Sequence, residues 1–88
     1  MIHAENIKQE PRFLTTIAQE IERTWPKVSP HARPYLNAMW KLHRINEMYF
    51  QDSAEEVVLR FLYNAQTWRG ADAKRIKAEL HQIIREAK

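Results

Sequence analysis

Side chains able to carry chemistry are sparse in this 88-residue chain, and their spacing limits what they can do. Of the four histidines, His3, His31, His43 and His81, no two stand four residues apart, so none pair on one helical face as a zinc-binding H-E-x-x-H requires. Cysteine is absent, which removes thiolate metal sites, disulfides and thiol nucleophiles together. Glu55 and Glu56 are neighbours, and on a helix their side chains diverge by about 100°, too far to work as acid and base on one bond. Ser29 and Ser53 each sit at a helix boundary and suit capping better than nucleophilic attack. A single glycine, Gly70, cannot build a phosphate-cradling loop. These residues predict no enzyme, no cofactor and no metal site.

The elements that would position them are read from apolar spacing. With one glycine there are few positions for tight hairpins, and helices are the alternative. Phe13, Leu14, Ile17, Ala18, Ile21 and Trp25 recur at threes and fours, predicting a helix near 10–25 with Pro11 in its first turn and Pro26 as its stop. Pro26, Pro30 and Pro34 make 26–33 a stiff connector, and Pro34 opens a second helix, near 34–50. Its apolar arc is broad, from Tyr35, Leu36, Ala38 and Met39 through Leu42 and Ile45 to Tyr49 and Phe50. His43 falls inside that arc and is expected to be partly buried, while Trp40 and Met48 lie beyond its edges.

Asp52 or Ser53, with Glu55 or Glu56 three residues on, caps a third helix near 53–68. Ala54, Val57, Val58, Phe61, Leu62 and Ala65 form its core stripe, and Leu59 and Tyr63 fall outside it. Asp72 starts a fourth helix, near 71–87, whose stripe is Ala73, Ile76, Leu80, Ile83 and Ala87 with Ile84 alongside. The expectation is a single all-α domain over 1–88, a small four-helix bundle preceded by a flexible 1–9.

Charge adds one asymmetry. Fourteen basic side chains against eleven acidic give +3 and a pI near 9.5, and the first 25 residues are slightly acidic, so the excess lies later in the chain. On the fourth helix Lys74, Lys77, His81, Arg85 and Lys88 share one flank, with Glu79 and Glu86 opposite and Arg69 extending the basic side. Such a row could contact successive phosphates of a nucleic acid. A sequence-reading helix-turn-helix is not supported, because Gln66, Arg69 and Glu79 occupy positions where that motif needs small or apolar residues. The structural alternative for the turn is a corner in which Trp68 anchors the core and Gly70 either supplies a left-handed backbone that ends the third helix or lets the backbone turn closely.

The stretch containing Trp68, Arg69, Gly70, Ala73, Ile76, Lys77, Glu79 and Leu80 resembles the C-terminal segment of short uncharacterised helical proteins of cyanobacterial, hence bacterial, type. The resemblance covers about a quarter of the chain and implies no activity. The apolar surplus outside the core stripes, Trp40, Met48, Leu59 and Tyr63, leads to a protein–protein interaction module, with a homodimer as the simplest partner. A nucleic-acid-associated accessory protein using Arg69, Lys74, Lys77, Arg85 and Lys88 is the alternative. With no long apolar run and no basic-then-apolar start, no membrane association and a cytoplasmic location are expected.

Overall fold

The computed structural model describes residues 10–87; the expectation for 1–9, together with His3 and Lys88, lies outside them. Four helices and one minimal strand pair follow in order: α1 (Leu14–Thr24), α2 (Arg33–Met39), β1 (Met48–Tyr49), β2 (Asp52–Ser53), α3 (Ala54–Tyr63) and α4 (Ala71–Glu86). The chain is therefore mostly helical, not purely so. α1 packs against α2 and α4, and α3 packs against the same two helices, so each helix has two helical neighbours. Phe61, Leu14, Ile17, Ile21, Leu36, Met39, Leu42, Ile76, Leu80 and Val58 are fully buried between them. Among the described residues no buried side-chain nitrogen or oxygen lacks a hydrogen-bond partner.

α1 starts later than its apolar spacing implies. Pro11 precedes it, and Phe13 at the N-cap has no side-chain oxygen to offer the first N–H groups. Backbone carbonyls of a distant loop take that role: Leu14 N–H donates to His43 O at 2.9 Å and Thr15 N–H to Leu42 O at 2.9 Å, while the Thr15 hydroxyl donates to Trp40 O at 2.6 Å. Three carbonyls converge on the positive end of the helix dipole. Trp25 closes the helix, its N–H donating to Ile21 O, and Pro26 prevents continuation.

That loop explains the largest departure from the sequence expectation. The helix expected over 34–50 ends at Met39. Lys41 and Leu42 N–H wind down onto the carbonyls three residues back, and His43 N–H, which a continuing helix would give to Met39, is taken by Glu47 Oε1 at 2.9 Å. Leu42 still reaches the core, with Ile45 and Tyr49 packed on its margin. Neither proline nor glycine marks the break. It exists because carbonyls at 40, 42 and 43 complete α1, which a helical 40–43 could not do.

Where the second helix is expected to continue, the chain instead turns through a hairpin, with Met48 opposite Ser53 and Tyr49 opposite Asp52. Its two-residue connection, Phe50-Gln51, holds Phe50 at φ +57°, a conformation rarely tolerated by bulky residues. Ser53 caps α3, its hydroxyl accepting from Glu56 N–H at 3.1 Å, and the Asn64 amide donates to Arg60 O at 2.8 Å as the helix ends. α3 stops at Tyr63, short of the expected 68, and turns carry the chain to Gly70. Gly70 is the N-cap of α4, at φ +113° and ψ 179°. It therefore serves the start of the fourth helix instead of ending the third, in a backbone region essentially reserved for glycine.

Candidate functional surfaces

The residues with catalytic potential are dispersed. His31, His43 and His81 are all exposed. His43, expected to be partly buried, leaves the apolar side because the helix carrying it ends first, and it packs on Phe13 with ring centroids 4.8 Å apart. Ser29 accepts from Ala32 N–H at 3.2 Å ahead of α2, and Ser53 caps α3, so both hydroxyls support helix starts. Among the described residues no three potential metal ligands cluster.

A concavity of about 600 Å³ lies where the start of α1, the 43–46 loop and the end of α4 meet. Both of its arginines are tied to carboxylates. Arg44 binds Glu10 at 2.8 Å, donates to Pro11 O at 2.8 Å and lies 4.6 Å from the centre of the Phe13 ring. Arg12 donates twice to Glu79, at 2.8 and 2.6 Å, and once to Glu20 at 2.9 Å.

Arg12 belongs to a network that holds α1 to α4. Glu20 accepts from Arg75 at 2.6 Å as well as from Arg12, and Arg75 also binds Asp72 at 3.0 Å. Residue 12 meets 79 while 20 meets 75, so the two helices run antiparallel. Hydrogen bonds from Arg75, followed by those from Arg12, hold the Glu20 carboxyl down from 4.5 to about 2. A second seam joins α1 to α2: Glu22 accepts from Arg33 and from the Trp40 indole at 3.3 Å, which lowers its pKa, with Arg33 the main cause.

The candidate interface residues accordingly separate into two places. Trp40 is 39% exposed but tied to Glu22 through its indole and to Thr15 through its carbonyl, so it belongs to the α1–α2 seam. Met48 on β1 is 61% exposed, and on the outer side of α3 Leu59 is 42% and Tyr63 74% exposed. Phe50 at the hairpin tip, absent from the sequence-derived set, is the most exposed large apolar residue described, at 84%; its ring meets Tyr49 edge-on at 4.7 Å. Nothing in the pattern could have singled it out, since its spacing fits the arc of a longer second helix.

The basic flank is likewise divided. Arg69, Lys74 and Lys77 line a groove of about 470 Å³ with Trp68, Gly70, Ala71 and Ala73. Lys77 is not a freely solvated charge: its ammonium donates to Trp68 O at 2.7 Å and lies 5.8 Å from the centre of the Trp68 ring. Arg85 is farther along α4, donating to Gln82 at 2.6 Å. Beneath the groove Trp68 stacks on Trp25, planes 5° apart and centroids 5.2 Å, and Phe61 meets both rings edge-on.

No helix is long and apolar enough to cross a membrane among the described residues. Comparison of the chain with protein-family models, with curated proteins and with solved structures finds no match in any of the three.

Proposed function

We propose that this chain is a non-catalytic association module: a small helical scaffold that presents the hairpin tip and the outer face of α3 to a protein partner, in the first instance a second copy of itself. The observation that carries this reading is Phe50, held at φ +57° with 84% of its surface in water. A non-glycine residue in that region costs roughly 1–3 kcal/mol, and an exposed phenyl forgoes roughly 1.5–3 kcal/mol of burial. Glycine or asparagine would serve the turn better, so folding alone does not account for a phenylalanine there. Met48, from the same hairpin, and Leu59 and Tyr63, one turn apart on α3, add side chains of the kinds enriched at interfaces or usually buried. A two-fold axis lets one such patch meet its own copy without any further complementary surface.

Light scattering on the full chain tests the reading. At about 50 μM the wild type should scatter as twice its 10.6 kDa mass, and Phe50→Gly and Tyr63→Ser should scatter as monomers. A wild-type monomer across that range overturns self-association.

A further inference from the structure

We infer that the corner groove lined by Arg69, Lys74 and Lys77 is a contact site for the backbone phosphates of nucleic acid, read without regard to base sequence. The contrast with five of the seven other arginines carries the argument; the remaining two, Arg23 and Arg85, also lack an ion-paired carboxylate among the described residues but do not line the groove. Arg12, Arg33, Arg44, Arg60 and Arg75 each have a carboxylate within ion-pair distance. Arg69, Lys74 and Lys77 share one groove, and none has an acidic partner among the described residues. Asp72, the acid of that turn, does not line the groove and is bound to Arg75 at 3.0 Å.

The three cations are held together against their mutual repulsion. Lys77 is fixed by the Trp68 carbonyl at 2.7 Å, and burial, then the charge of Arg69, lowers its pKa. An anion seated between them would be favoured by all three, and the pinned ammonium has little rotamer freedom left to lose. Lys74 and Lys77 are about 4.5 Å apart along the helix axis, a spacing suited to a polyanion with closely repeated charge. Base stacking is not on offer, because Trp68 is buried at 3% exposure with its face against Trp25. Duplex should therefore bind at least as well as single strand, and shape or sequence should matter little.

The test is fluorescence anisotropy of a labelled duplex of about 20 base pairs titrated with the full chain. Three phosphate contacts give a slope of log K against log salt of about −2.7, an affinity loss of about 40-fold between about 50 and about 200 mM salt. Lys74→Glu should weaken binding at least about fivefold, and the Arg69→Glu/Lys74→Glu double should bring the slope to about −0.9. Lys41→Glu makes the same charge change in an exposed residue beside the loop that caps the start of α1 and meets the end of α4 remote from Gly70. It should weaken binding less than about twofold. All three altered side chains are exposed, so unchanged thermal midpoints certify folding.

Absence of binding at about 50 mM salt overturns the assignment. Equal weakening by Lys41→Glu and Lys74→Glu does so too, by reducing it to net charge. Marked preference for single strand would signal stacking and contradict a backbone site, and displacement by polyglutamate as effective as by unlabelled duplex would transfer the groove to an acidic protein.

Discussion

Among the described residues two turns hold a residue at positive φ, and they are built in opposite ways. At the α4 corner the residue is Gly70, at φ +113°, with Trp68 buried beside it against Trp25 and Phe61. At the hairpin tip it is Phe50, at φ +57°, with its ring in water. The corner matches residue to backbone and puts its aromatic in the core. The tip strains its backbone and keeps its aromatic out. A turn optimised only for folding would resemble the first; the second is the one that the proposed association would explain.

The comparison breaks first at the corner. Trp68→Ala removes the ring stacked on Trp25 and the floor beneath Lys77, and should cost about 3–5 kcal/mol in denaturant unfolding. A loss well below that would mean that the corner aromatics are not central to the core. Gly70→Ala comes next. A Cβ at Gly70 would meet no atom within 4 Å, so the cost is conformational alone, about 1–3 kcal/mol by the same measurement. Gly70→Val should be at least as harmful, since β-branching narrows the backbone further. A neutral alanine would show that the corner relaxes to another geometry.

Phe50→Gly is the counterpart and the smallest change in stability. Relief of strain is set against added chain entropy and loss of the Tyr49 contact, so stability should stay level or rise by up to about 1 kcal/mol. Combined with loss of the dimer in light scattering, that result would confirm the division of labour between the turns. A large destabilisation would make Phe50 a structural residue instead.

A pH scan sharpens the contrast from a third side, because Glu20 ties α1 to the helix that the corner launches. Its carboxyl is held down from 4.5 to about 2 in the folded chain, so the stability it adds is fully present above 4.5 and is lost as pH falls toward 2. Glu20→Gln should flatten thermal midpoints across that window and leave the Phe50-dependent association at neutral pH unchanged. Equal acid sensitivity in wild type and variant would count against the network.

How much of this was legible varies with the range of the interaction. The cap of α3 at Asp52 or Ser53, which the fold resolves to Ser53, Asp72 in the first turn of α4, the stop at Pro26 and the core stripes of α1, α3 and α4, save Phe13 and Ala87, depend on residues a few positions apart. The end of α2 depends on partners almost thirty residues away: Leu14 and Thr15 need the carbonyls of His43 and Leu42 because Phe13 cannot cap. Local apolar spacing carries no trace of that need. The basic flank was visible as a row of charges, but its division was not, since the burial of Lys77 against the Trp68 carbonyl and the pairing of Arg75 with Glu20 require the fold.

The sequence by itself determined that most of this chain would be helical, which faces of α1, α3 and α4 would be buried apart from Phe13 and Ala87 at their ends, which are exposed, and that neither thiol chemistry nor a glycine-rich phosphate loop was available to it. Those follow from periodicity and composition, which are local. Only tertiary structure decided where the second helix ends, which arginines are neutralised across helices, and that Phe50 points into water while Trp68 does not. The physical reason is that backbone donors and charges must be satisfied by whatever the fold brings near them, and that account closes only in three dimensions.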